Sequence, residues 1–125
     1  MSAPQNSLLV SSTGAISVGT TDTTYTFQVN GTIRANELII ESGWADFVFD
    51  EEYNLKPLKE VEEFIEKNKH LPGVPSADEV SANGVSVGDS QVVLLKKVEE
   101  LTLYLISMNN ELTSLKKELE SLKNN

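Results

Sequence analysis

The sequence predicts an α+β fibrous fold: intertwined short β-strands at the N-terminal end, a small helical cap, and a C-terminal parallel coiled coil. Three observations predict it. Apolar residues from Leu94 to Leu122 recur at strictly alternating spacings of four and three, the signature of a heptad seam. Residues 1–40 alternate apolar and small polar side chains in short runs closed by glycine, as half-buried strands do. Between them lies the charge: of a formal net −9, residues 41–83 carry −7, and the segments before and after carry −1 each. These shifts divide the chain into a β-rich stalk and attachment segment at 1–43, an acidic helical cap at 44–85 and a coiled-coil assembly helix at 86–125.

The strands come first. Ser7 to Ser12 is an apolar-centred run that ends in a turn at Thr13-Gly14. Ile16 and Val18 alternate with small residues until Gly19. Tyr25, Phe27 and Val29 alternate with Thr24, Thr26 and Gln28. Asn30-Gly31 then reads as a hairpin, since both residues tolerate positive φ. Thr32 to Ile40 would be its returning strand, with a bulge or bend near Asn36, where the apolar parity slips. Two or three short strands bury no core alone, so they need the rest of the chain or further copies of it.

The cap opens on Gly43 to Phe49, whose alternating aromatics read as a strand or extended arm anchored by Trp44. Pro57 suits the first turn of a helix. Leu58, Val61, Phe64 and Ile65 then form one apolar stripe, opposite Glu60, Glu62, Glu63, Glu66 and Lys67. Lys69 and His70 suit its C-terminal end, and Leu71-Pro72 stops it. Pro72 to Pro75 is a rigid connector. Ser76 to Glu79 is a capping box opening a short helix, which Asn83-Gly84 ends in left-handed geometry.

Ser86 to Asp89 fits a second capping box, opening a helix that runs from Val87 to about Leu122. With Val98, Leu105, Leu112 and Leu119 at heptad position a, Leu94, Leu101, Met108, Leu115 and Leu122 fall at d. Glu111 and Glu118 then occupy g, and Lys116 and Lys123 occupy e. In a parallel, in-register bundle these are opposite charges at the g-to-next-e spacing. Leucine at both a and d does not choose between two and three strands. Val92, Val93, Leu95, Leu103, Tyr104 and Ile106 lie off the seam; they predict that the acidic cap packs around residues 92–106. One copy would leave the seam and the strands exposed, so folding and assembly are expected to be coupled.

Composition closes several functional classes. The 125 residues include no cysteine and a single histidine, which removes disulfides, thiol nucleophiles and His-rich metal sites. Strong acidity opposes nucleic-acid binding, and no apolar run approaches the roughly 20 residues of a membrane span. Met1 to Gln5 has no basic segment and no apolar core, unlike a secretory signal.

His70 reads as a helix-terminal packing or hydrogen-bonding residue in preference to a pH switch. Asp46, Asp50, Glu51 and Glu52 lack the spacing and glycine of a calcium loop, and read as solvated surface. Glu62 and Glu66 read as a solvated helical face, as do Asn109 and Asn110 at heptad positions e and f. Trp44, Phe47 and Phe49 are candidate inter-subunit anchors, with stacking on a sugar as the other role for Trp44. No cofactor, metal site or catalytic constellation is expected.

Gly14 to Thr21 and Phe27 to Ala35 resemble the short β-repeats that precede the C-terminal module of the Bacteroidetes-type phage tail-fibre domain family. Trp44 to Phe49, Tyr53 to Glu62, Asn68 to Val80 and Leu94 to Tyr104 resemble that module itself, most specifically in the runs from His70 to Ala77 and from Val98 to Tyr104. The resemblance spans about Gly14 to Glu111. It implies a homotrimeric fibre segment or tip on a phage or phage-like contractile particle, at the virion or particle surface. The layout is similar to that of the endosialidase-type intramolecular chaperone, which trimerises fibres and in some members cleaves itself off through a serine and lysine pair. No match to that cleavage site is present, so no enzyme activity is expected. The leading expectation is a structural fibre protein whose residues up to about Gly19 attach to other particle proteins. The alternative is a receptor- or glycan-binding tip on the same kind of particle.

Overall fold

The computed structural model describes residues 7–41, 43–44 and 46–125. The N-terminal stretch read as lacking an export signal, the first six residues of the attachment segment and Ala45 of the aromatic arm lie outside the described residues. The fold is α+β, with the order β1 (Leu8–Val10), β2 (Ile16–Val18), β3 (Phe27–Val29), α1 (Leu58–Asn68), α2 (Ala77–Asn83) and α3 (Val87–Lys123). It divides into two units, Met1–Ile39 and Ile40–Asn125.

The first unit is a three-stranded sheet in the order β1-β2-β3. β1 and β2 pair antiparallel, with Leu9 opposite Ser17, across the expected turn at Thr13-Gly14. Gly14 has φ 86° there, and the Ser11 hydroxyl accepts from the Ala15 amide at 3.0 Å. β2 and β3 pair in parallel, with Ser17 opposite Gln28. The connection between them, residues 19–26, is held by its own side chains. Asp22 accepts from the Thr24 amide at 2.9 Å and from Gln28 Nε2 at 3.1 Å. Hydrogen bonds from Thr24 and then Gln28 hold its carboxyl below the usual carboxylate range. Gly19 lies against Asn30: a Cβ there would sit 3.0 Å from the Asn30 carbonyl oxygen, and φ is 73°.

That contact explains the failure of the hairpin expected at Asn30-Gly31. A type I′ turn needs positive φ at both central residues, and neither has it. Asn30 is instead tied back to the end of β2, its amide donating to Val18 O at 2.9 Å and its side chain to Gly19 O at 3.3 Å. Thr32 to Ile40 consequently has no partner strand among the described residues and is not a strand; a bend does occur at Asn36. The unit buries little: Ala15, and Ser17, whose hydroxyl donates to Thr20 O at 2.8 Å. Leu8, Val10, Tyr25, Phe27, Ile33 and Leu38 are all exposed.

The second unit holds the three helices. α1 begins after Pro57, which stands one residue outside it with φ −56° and ψ 143°. It ends at Lys69, whose left-handed backbone (φ 61°) donates its amide to Ile65 O. Of its apolar stripe Val61 and Phe64 are half-buried, while Leu58 and Ile65 stay exposed. α2 has the full reciprocal capping box expected of Ser76 and Glu79, the two bonds being 3.2 and 2.8 Å. Ser86 caps α3 by accepting from the Asp89 amide at 3.4 Å; the reciprocal side-chain bond is absent from that cap. Gly88 is buried at the first turn.

Gly84 closes α2 with φ 72° and ψ −178°. That is not the left-handed helical geometry expected, but an extended region with positive φ open essentially to glycine alone. Nothing crowds the position, so Gly84→Ala tests backbone strain by itself. It is expected to destabilise the fold by about 1–3 kcal/mol, seen as a lower denaturation midpoint at fixed protein concentration.

Candidate assembly interface

α3 has 37 residues and is therefore about 55 Å long at 1.5 Å per residue. Its cover within the chain is one-sided. Of the off-seam apolar residues, Val92, Val93, Leu95, Leu103 and Tyr104 are half-buried, while Ile106, expected under the cap as well, is 52% exposed because the cover ends at Tyr104. The stems of Lys96 and Lys97, and Glu99 and Glu100, are half-buried too. The heptad seam is left open by that cover. Leu94, Val98, Leu101, Leu105, Met108, Leu112, Leu115, Leu119 and Leu122 are 52–71% exposed, every one of them. From Leu105 onward every residue of the helix is exposed. Soluble chains rarely leave so continuous an apolar stripe in water.

The covering layer is held to α3 by polar ties that the sequence did not reveal. Tyr104 donates its hydroxyl to Lys56 O at 2.6 Å, just ahead of α1. Tyr53 donates to the Glu100 carboxylate, which also accepts from Lys97 Nζ at 2.7 Å. The Lys96 ammonium stands 5.4 Å from the Phe47 ring centre and 5.8 Å from that of Tyr53, and the two rings pack 5.8 Å apart.

Burial, then the hydrogen bond and charge of Glu100, push the Tyr53 phenol well above the ordinary tyrosine range. Burial, then the Glu100 charge, raises Tyr104 as well. Burial acts to raise Glu100, but the hydrogen bonds from Lys97 and Tyr53 and the lysine charges outweigh it, and its pKa falls. Glu99 moves the other way, raised by burial and then by Asp46 opposite it.

These shifts set the pH response. Glu100 binds its proton less tightly when folded, so its contribution is lost as pH falls; Glu99 has the opposite sign, and the two oppose each other in acid. Both tyrosines hold their protons more tightly when folded. Their shared contribution is lost as pH climbs above about 10. The unfolding midpoint is therefore expected to drop on that alkaline limb, and Tyr53→Phe to make the drop shallower. An equally steep limb in the variant would contradict this assignment.

The aromatic arm is not a strand. Phe47 to Asp50 forms a turn in which the Asp50 amide donates to Phe47 O at 3.2 Å. Val48, between the two phenylalanines, is the buried residue, only 2% exposed. Phe47 packs on Tyr53 within its own chain, while Trp44 (65% exposed) and Phe49 face solvent. Alternation pointed to the two phenylalanines, and Val48 between them is the residue that went inside. His70 packs its ring edge-on against Phe64 at 5.5 Å, and its Nδ1 lies 3.0 Å from Leu71 O, a helix-terminal role. Asp50, Glu51, Glu52, Glu62, Glu66, Asn109 and Asn110 are all exposed.

Beside the seam runs an apolar groove of about 870 Å³. Leu58, Val61 and Leu71 line one wall, and Leu94, Val98 and Leu101 the other, with Tyr104 at one end. Among the described residues no three metal-ligating side chains converge, and no helix is long and apolar enough to cross a membrane. Comparison with protein-family models, with curated proteins and with solved structures finds no match for the chain.

Proposed function

We propose that the chain is a structural fibre protein of a phage virion or phage-like contractile particle, working as a homotrimer at the particle surface. The observation that carries this reading is the seam: nine apolar residues in unbroken heptad spacing, all more than half exposed, on the side of α3 that the cap leaves bare. Burying them between copies contributes on the order of 10 kcal/mol per chain, at about 1 kcal/mol for each half-exposed residue. α3 then forms a parallel coiled coil, with Glu111 and Glu118 facing Lys116 and Lys123 of the next copy. Among the described residues none of these four forms an ion pair within its own chain.

Residues 86–125 drive assembly, residues 44–85 clasp the outside of the bundle, and residues 1–43 form the stalk. Thr32 to Ile40 supports an intertwined stalk, because its Ile33, Leu38, Ile39 and Ile40 are exposed and it joins no strand among the described residues. Three copies rather than two follow the resemblance to tail-fibre modules, as does attachment through the segment up to Gly19. The role is non-enzymatic, without cofactor, nucleic acid or membrane insertion. Antibodies against residues 86–125, applied to particles purified from producing cells, are expected to decorate a fibre or appendage under the electron microscope. Recovery of the protein only in particle-free fractions would contradict the assignment.

A further inference from the structure

The apolar groove between the cap and α3 lies on one flank of the seam. Its α3 wall combines seam residues Leu94, Val98 and Leu101 with Lys97 and Tyr104, both at heptad position g. In a parallel bundle the g flank of one helix faces the e flank of its neighbour, and position b lies next to e on that flank. Ile106 is at b. It is 52% exposed, it is not on the seam, and its own cap does not cover it. The seam therefore leaves one large apolar side chain on the e flank unexplained, and one apolar groove on the g flank unfilled.

Their heights agree. Tyr104 donates to Lys56 O, which ties the chain just ahead of α1 to Tyr104, and Leu58 stands two residues further on. Leu58 lines the groove and is itself 49% exposed. In-register chains set Ile106 of one copy less than one helical turn from Tyr104 of the next, about 3 Å along the axis.

Resting on the parallel assembly proposed above, we infer that the groove is an inter-subunit socket. Ile106 of one copy enters the groove of the next at its Tyr104 end and packs against Leu58. Each cap thus grips a neighbouring helix as well as its own, which locks rotational register and leaves the socket incomplete in a lone chain. The charge pairs at Glu111–Lys116 and Glu118–Lys123 select the same register, since they also run from g to the next e.

The absence of cysteine makes the test clean. Leu58→Cys and Ile106→Cys chains, each with one thiol, are co-refolded, purified as the assembled species and mildly oxidised. The main product expected is the mixed Leu58→Cys/Ile106→Cys disulfide, since a disulfide requires Cα atoms roughly 4.4–6.8 Å apart. Pairing Ile106→Cys with Glu66→Cys, on the solvent side of α1, should give none. An intact parallel trimer with no mixed disulfide overturns the socket and leaves the seam standing; a parent chain that forms no parallel trimer overturns both. Should a cysteine variant fail to fold, Ile106→Asp provides the second readout. Hydrogen exchange in α1 is expected to quicken while the lower seam stays protected, and unchanged exchange in α1 overturns the socket.

Discussion

Leu105→Asp is expected to abolish assembly. Leu105 is an a residue near the middle of the seam, just below the last turn that the cap covers. In the proposed bundle its side chain faces its own counterparts, so the substitution places one carboxylate per copy in a dry core with no cation opposite. Desolvating each costs several kcal/mol, and mutual repulsion adds to it. The loss rivals the whole gain from the seam, and the variant should be monomeric at concentrations where the parent is assembled. The residue is 57% exposed in the single chain, so the cap and its ties to α3 should survive. Retained assembly in Leu105→Asp would mean that copies associate through some other surface.

The second large effect is expected from ending the chain after Ser107. That removes Met108, Leu112, Leu115, Leu119 and Leu122, five of the nine seam residues, and both pairs of g and e charges. At roughly 1.5–3 kcal/mol for a fully buried apolar side chain, association should fall below detection. Within the single chain the removed segment contacts nothing that shields it from water. Helices in proteins draw most of their stability from packing, so the helicity of this segment is expected to rise with assembly. Dilution of the parent should therefore lower helical ellipticity, whereas the truncated chain should show no such concentration dependence. Assembly persisting in the truncated chain would mean that residues before Met108 suffice for it, and that the lower seam is not required.

Much of the helical half was legible because its signals are local. Ser76 and Glu79 meet across a single turn, so the capping box could be read from spacing alone. The seam is a period, and α3 begins where Ser86 caps it and ends one residue beyond the expected Leu122. The off-seam residues announced a cover, and Val92, Val93, Leu95, Leu103 and Tyr104 have it, but Ile106 does not. What did not show were contacts between distant residues. Tyr53 with Glu100 and Tyr104 with Lys56 join residues nearly fifty positions apart, and no spacing rule connects them. The β half failed for a related reason. Asn30-Gly31 is a competent local turn, but a single long-range choice, the parallel pairing of β3 with β2, pulled Asn30 toward Gly19 and left Thr32 to Ile40 without a strand to meet. Val48 was missed because alternation identifies two faces without saying which goes inside.

Both large effects depend on one claim, that the core of this protein forms between copies. The most direct measurement is the mass of the native species in solution, by native mass spectrometry or light scattering across a dilution series from the micromolar range. The account predicts three chain masses, falling to one in Leu105→Asp. A parent chain that is monomeric at micromolar concentration, with α3 fully helical, would contradict it.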